Sequence, residues 1–357
     1  MKSHRGPLLV LFALSAAGVF AQVAPASASS DSRPDTTVAV SPGSTLEIEN
    51  FGGAISITTW DKNAIRIEVD RSVGEQVTIE RAGSTIALKP RTRRWVPGVV
   101  NFQITAPRWI KLDLSGVNTS IDVENCEAEV HAETVNGDVT ARGGQGPYSL
   151  SSVQGEVRVQ GARGRVDASS VNEGVQLEEI SGPIVAESVN GGIVIKRSRS
   201  ESIEASTLSG PVRFEGDLAK SGSYRFTTHN GCIDVVMPEH ADATVSLSTF
   251  SGGIDSSFPV TLKKLEAKRF RTVFGSGTAK LDLESFQGTI FLRRPNEAGS
   301  DCFSDEDAKE LRKEMRKELH LKVHKDVKDL KDLKEKDKDR DKDDEEKDSG
   351  DEGDEEE

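Results

Sequence analysis

The stretch RVDASSVNEGVQLE (residues 165–178) decides the fold, because apolar and polar side chains alternate on both sides of a glycine-containing turn. Val166 and Ala168 alternate with polar residues before the turn, and Val175 and Leu177 do so after it. A period of two is typical of a short strand that buries one face. The stretch therefore predicts two short half-buried strands joined by a tight corner, at which glycine supplies a positive φ.

Related units recur through the middle of the chain, and their glycines lie 17 to 21 residues apart. The units are TVNGDV (134–139), SVQGEV (152–157), SVNEGV (170–175), SVNGGI (188–193), TLSGPV (207–212), THNGCI (228–233) and TFSGGI (249–254). A second corner closes each repeat, as at residues 162–164 and 180–182. A period near 20 residues without a helical pattern predicts a β-solenoid or another all-β array.

We predict a parallel β-solenoid of two-strand repeats of about 19 residues, running from residue 37 to 293. Residues 46–57, 65–69, 102–105 and 112–114 extend the array, and residues 281–283 and 290–292 close it. An antiparallel meander is the competing fold, since a strand, a Gly turn and a strand also make a hairpin. The predicted solenoid core comprises Val135, Val139, Val153, Val157, Val171, Val175, Val189, Ile193, Leu208, Val212, Ile233 and Ile254, so that Val171→Asp should be strongly destabilising.

The two ends of the chain differ in composition from the repeats. Residues 1–28 show a basic start, a short apolar run and small-x-Ala sites ending at Ala21 and Ala28, which is typical of a secretory signal peptide. An uncleaved anchor is the alternative. A Ser/Pro-rich disordered leader is expected over 29–36 and a linker over 294–303. No later segment has the roughly 20 apolar residues of a membrane span. We therefore expect an exported protein that is periplasmic, surface-located or secreted.

A charged amphipathic helix is predicted over residues 304–340. The segment opens with an acidic first turn, and its apolar residues recur on average every 3.67 positions, which is a helical period. The stripe consists of Leu311, Met315, Leu319, Val323, Val327, Leu330 and Leu333. Such a narrow stripe indicates a coiled-coil or docking helix that self-associates, caps the solenoid or binds another protein; a solvated helix is the alternative. Residues 341–357 carry 12 acids and two lysines and are expected to be disordered.

Composition excludes several functional classes. The net charge of −13 argues against a nucleic-acid-binding protein. No His-Glu-x-x-His, Gly-x-Ser-x-Gly or phosphate-loop motif is present, so no catalytic residue and no cofactor is expected. His320 and His324 lack a third metal ligand, and an acidic column of Asp138, Glu156, Asp234 and Asp255 is interrupted in other repeats. We therefore expect no metal site.

One basic cluster, Lys89, Arg91, Arg93, Arg94 and Trp95, is a candidate contact for an anionic envelope polymer. Arginine forks suit phosphate and an indole suits a sugar face. A solvated hairpin is the alternative interpretation.

The three cysteines leave their pairing open. Cys232 is interpreted as a small core residue. In an oxidising envelope, Cys126 and Cys302 are the candidate partners for a disulfide bridge.

The repeated Val-Asn-Gly-x-Val unit resembles the bacterial "putative adhesin" domain of unknown function. So do the GGAI corner at 52–55, the following Trp60-Asp61 and Ala106-Pro107. The resemblance covers residues 46–293 and implies an exported or envelope-anchored β-solenoid. It implies an adhesin-like interaction or scaffold protein, with an envelope protein or polysaccharide as partner. An envelope-stress or regulatory partner and a carbohydrate-acting β-helix enzyme are the alternatives.

Overall fold

A computed structural model describes residues 35–92, 97–259, 263–266 (backbone only), 268–295 and Cys302. Within these residues the fold is all-β. The strands are β1 (Asp35–Ala39), β2 (Thr45–Trp60), β3 (Ala64–Arg71), β4 (Glu75–Ala82), β5 (Thr85–Thr92), β6 (Val100–Pro107), β7 (Lys111–Glu124), β8 (Val130–Asn136), β9 (Val139–Arg142), β10 (Tyr148–Gln154), β11 (Val157–Gln160), β12 (Val166–Ser170), β13 (Val175–Glu178), β14 (Ile184–Ser188), β15 (Ile193–Lys196), β16 (Ser202–Ser209), β17 (Val212–Glu215), β18 (Ser223–Asn230), β19 (Ile233–Val236), β20 (Ala243–Thr249), β21 (Ile254–Ser256), β22 (Lys263–Glu266), β23 (Arg269–Phe274), β24 (Ala279–Gln287) and β25 (Ile290–Arg293). The predicted helix over 304–340 and the acidic tail lie outside the described residues.

Successive repeats stack in parallel and in register. Val166 of β12 pairs with Tyr148 of β10 on one side and with Ile184 of β14 on the other. The first strands of the repeats form one parallel ladder, in the order β5, β2, β7, β8, β10, β12, β14, β16, β18, β24, β20. The second strands form another, in the order β6, β2, β7, β9, β11, β13, β15, β17, β19, β25, β21. This parallel stacking confirms the solenoid and contradicts the antiparallel meander.

The coil order at both ends departs from the chain order. The coil β24–β25 lies between β18–β19 and β20–β21, so residues 279–293 do not close the array as predicted. At the other end, β2 lies between β7 and the later strands β5 and β6. The remaining strands β1, β3, β4, β22 and β23 pair antiparallel at these ends. Alternating polarity cannot reveal such an exchange, because each coil keeps the same inward pattern wherever it stacks.

The narrow core lies between the two ladders and consists mainly of Val, Ile, Leu and Ala. The residue after each corner is fully buried, as predicted for Val139, Val157, Val175, Ile193, Val212 and Ile233. Ile254 is only partly buried. The other predicted core residues, Val135, Val153, Val171, Val189 and Leu208, are 37–52% exposed, so their assignment to the core is wrong. Val171→Asp would therefore not bury a charge, and the reason for expecting it to be strongly destabilising is wrong too.

The residue preceding each of these exposed side chains faces inward and is buried. It is a serine or threonine whose hydroxyl donates a hydrogen bond to a corner carbonyl of the neighbouring coil. Ser152 donates to Gly137 O at 2.8 Å, and Ser170 to Gly155 O at 2.9 Å. Thr134, Ser188, Thr207, Thr228, Ser285 and Thr249 make the equivalent bond. A buried carbonyl is costly without a partner, so the hydroxyl column explains why the motif opens with Ser or Thr.

At most of the first corners, glycine is needed because a larger side chain would clash with the neighbouring coil, and not because the residue has a positive φ. A Cβ at Gly155 would lie 2.0 Å from Gly137 O, and one at Gly231 would lie 1.9 Å from Gly210 O. Gly155 and Gly231 have no positive φ, which corrects the conformational interpretation. The left-handed residue occurs instead at the second corner, in the column of Asn125, Gly143, Gly161, Glu179 and Arg197.

Candidate functional site: an exposed ladder of apolar side chains

The exposed side chains at the first corner form one continuous surface column, which we call the outer ladder. Ser170 pairs with Ser152 and Ser188, so the residues that follow, Val153, Val171 and Val189, lie on adjacent strands. The complete outer ladder is Phe51, Val117, Val135, Val153, Val171, Val189, Leu208, His229, Phe286 and Phe250. Its nine apolar members are 37–57% exposed. At about 4.8 Å per strand, its nine steps extend over roughly 43 Å.

Such a surface differs from scattered exposure. Single exposed hydrophobic residues are ordinary, whereas contiguous apolar patches of several hundred Å² mark contact surfaces. Nine of the 13 large exposed hydrophobic side chains in the described part of the chain belong to the outer ladder. The fold therefore concentrates its exposed apolar area on one edge.

Polar side chains without positive charge flank the outer ladder on both sides. One flank is an amide-rich column in which Asn136 Nδ2 donates to Asn118 Oδ1 at 3.2 Å and Asn190 Nδ2 donates to Asn172 Oδ1 at 3.0 Å. The other flank lies two residues before each ladder position. It consists of Glu49, Ser115, Glu133, Ser151, Ser169, Glu187, Ser206, Thr227, Glu284 and Ser248, all partly or fully exposed. The apolar side chains of the outer ladder thus lie beside a margin rich in carboxylates and hydroxyls.

Stacked aromatic rings form one end of the outer ladder. The His229 and Phe286 ring centroids are 4.6 Å apart, and those of Phe286 and Phe250 are 4.8 Å apart, with nearly parallel planes. The Lys268 ammonium lies 3.9 Å from the Phe250 centroid and donates a hydrogen bond to the Phe250 carbonyl. This end therefore carries a cation over an aromatic face.

A cavity of about 460 Å³ lies at the opposite end. Phe51 and Val117 of the outer ladder line it, together with Asn50 and three glutamates, Glu49, Glu75 and Glu133.

The carboxylates of this cavity differ in their local partners. Glu75 is buried and accepts a hydrogen bond from Gly98 N at 2.8 Å, while Glu49 pairs with Lys89 at 2.7 Å. Buried Asn50 donates through Nδ2 to Val100 O, but its Oδ1 has no hydrogen-bond partner. The cavity is therefore acidic and partly apolar.

The predicted polymer-binding cluster is only partly described. Lys89 lies 2.7 Å from Glu49 and 3.2 Å from Glu47, and these hydrogen bonds raise the pKa of Lys89. Arg91 pairs with Glu80 at 3.1 Å. Arg93, Arg94 and Trp95 lie outside the described residues. Both described cations thus already contact carboxylates, and anionic-polymer binding stays a prediction.

The members of the acidic column differ in their local contacts. Asp138 Oδ1 accepts a hydrogen bond from Glu156 N, and Glu156 pairs with Arg158. Asp234 is buried beside Arg213 and Arg293, at 3.6 and 3.4 Å. In the part of the chain that the structure describes, no group of three His, Cys, Asp or Glu residues could hold a metal ion.

The cysteine pairing corrects the sequence interpretation. Cys232 is bonded to Cys302, with a Cα–Cα distance of 5.7 Å, so Cys232 is not simply a core residue. Cys126 is buried and free, and burial raises its pKa to about 11. The bridge holds Cys302 against Cys232, which is three positions after His229 of the outer ladder.

Sequence reasoning missed the outer ladder, although its signal was present. Ser170 has the same parity as inward-facing Val166 and Ala168, which places Val171 on the outside. Hydrophobicity alone assigned Val171 to the core.

Comparisons with known proteins concern the β region. The family model described as Toastrack DUF4097 matches residues 26–293, and this match confirms the resemblance to the adhesin-like domain family. A crystal structure of a "putative cell adhesion protein" from Clostridium sporogenes aligns with 73% of this chain and 99% of its own, at 11% identity. Its TM-score of 0.22 is too low to support an argument. No curated protein matches the chain. Among the described residues, no helix has the length and apolar character needed to cross a membrane.

Proposed function

Because the chain belongs to the Toastrack family, a family of unknown function, we propose a role for it from its surface: it is an exported, non-enzymatic interaction scaffold of the bacterial envelope. The outer ladder is its contact surface, and the partner presents an amphipathic helix. The observation that supports this proposal is the continuous apolar column along one edge of the solenoid. A narrow apolar strip with polar margins suits the apolar stripe of a helix.

The chemistry at the surface also favours binding over catalysis. Glu49 is paired with Lys89, and Glu75 accepts a hydrogen bond from a backbone N–H. A glycosidase needs one carboxylic acid and one carboxylate free to act on the sugar. These local partners are the reason we favour a scaffold over a carbohydrate-acting enzyme.

A matched pair of variants tests the proposal. Val153→Ser with Val171→Ser alters the outer ladder, whereas Val185→Ser with Val194→Ser makes the same change at partly exposed positions that point outward from the two sheets elsewhere. Envelope proteins retained by the immobilised full chain would be identified, purified and titrated individually against each variant. The ladder variant lacks valine methyl groups that the partner would bury. We expect its binding free energy to weaken by about 1.5 kcal/mol, or roughly tenfold in Kd, and that of the control variant to stay unchanged.

Two outcomes would contradict the proposal. Equal affinity of the ladder variant and the wild type would show that the outer ladder is not part of the interface. Cleavage of an envelope glycan by the purified protein would show that the protein is an enzyme and not only a scaffold.

A further inference from the structure

We infer that the outer ladder is occupied by the chain's own amphipathic segment, residues 304–340, which an external partner must displace. This inference rests on the proposed function, because it takes the outer ladder as the contact surface. Three observations support it: the position of the disulfide, the length of the apolar stripe and the distribution of charge.

The disulfide holds Cys302, two residues before the segment, at the corner that carries His229 of the outer ladder. Cys302 is bonded to Cys232, which follows His229 by three residues at the same corner. Because Cys302 is held at this corner, we expect the segment from residue 304 to start near the aromatic end of the outer ladder. A tethered segment binds at a high effective concentration, so even a weak apolar contact becomes populated.

The length of the stripe matches the distance to be covered. Seven strand steps separate His229 from Phe51, or about 34 Å at 4.8 Å per step. The stripe from Leu311 to Leu333 spans 22 residues, or about 33 Å as a helix. The segment can thus cover the outer ladder from the tether to the cavity.

The charges agree with this direction. Asp305, Glu306 and Asp307 at the start of the segment would lie near Lys268. The lysine-rich end beyond Leu333 would then reach the cavity lined by Glu133 and Asn50. A lysine ammonium there would lie near the exposed carboxylate of Glu133.

Acids along the margin suit the rest of the segment. Glu133, Glu187 and Glu284 flank the outer ladder, whose two margins carry no Lys or Arg. Lysines and arginines follow both sides of the stripe in residues 312–334. Opposite charges at such a margin favour one docking register over others.

A photo-crosslinker in the full chain tests the inference. Benzoylphenylalanine replaces Leu319 on the stripe, and, as the control, Lys317 on the flank. We expect irradiation of dilute monomer to join position 319 to residues 151–210 of the same chain, as located by mass spectrometry. The yield should fall at least fivefold with Val153→Ser and Val171→Ser, and position 317 should give little product.

The outcomes separate this inference from the proposed function. Products only between two copies, on another face or unaffected by the ladder variant would overturn the intramolecular docking. If such a result accompanied ladder-dependent binding of an external partner, the proposed function would still stand. Ladder-dependent crosslinking without any external binding would support the docking and contradict the scaffold role.

Discussion

Replacing Ser170 with Ala tests how the corners are held together. Ser170 is 3% exposed, its Oγ donates to Gly155 O at 2.9 Å, and it accepts from Glu173 N at 3.3 Å. Removing the hydroxyl leaves the buried Gly155 carbonyl without this donor and the Glu173 N–H without this acceptor. The expected loss of unfolding free energy is about 1–3 kcal/mol. Urea denaturation of the full chain, followed by circular dichroism, measures this loss as a lower midpoint with an unchanged slope.

Two control variants make the Ser170→Ala result specific. Ser170→Thr keeps the hydroxyl, as threonine does at positions 134 and 207, and should cost under about 0.5 kcal/mol. Ser169→Ala changes the neighbouring outward-facing residue and should be equally mild. If Ser170→Ala were no more destabilising than Ser169→Ala, the hydroxyl column would not stabilise the corners and the reasoning would be refuted.

Three further substitutions address other parts of the fold. Gly155→Ala should cost several kcal/mol, since its Cβ would lie 2.0 Å from a carbonyl oxygen of the preceding coil; an unchanged melting temperature would contradict this close approach. Cys302→Ser should lower the unfolding free energy by about 4 kcal/mol, because the bridge joins residues 70 positions apart and so restricts the unfolded chain. Equal stability of the oxidised wild type and the variant would refute the pairing. Hydrogen bonds from Ser276 and Thr278 lower the pKa of Asp242 below its ordinary 3.8, so its stabilisation is present at neutral pH and is lost as the pH falls through that lowered pKa. Asp242→Asn should therefore destabilise the protein at pH 7 and progressively less as the pH falls below 3.8, and a difference that does not shrink in acid would contradict the assignment.

The sequence predicts the solenoid because its period and alternation repeat locally in every coil. Val175 and Ile193 were assigned correctly for that reason. Coil exchange depends on long-range stacking, which a periodic pattern does not encode. The Cys232–Cys302 pairing likewise depends on where the chain returns after β25. The outer ladder was recoverable from parity, since Ser170 fills the inward position and leaves Val171 outside.

Photo-crosslinking from Val153 in exported protein tests the central claim most directly. Benzoylphenylalanine at Val153 probes the outer ladder, and at Ser149 it probes an exposed position on the same strand, β10. The account predicts a defined product at Val153, formed with residues 304–340 or with one envelope protein, and little product at Ser149. Equal labelling at both positions, or none at Val153, would show that the outer ladder is not a contact surface.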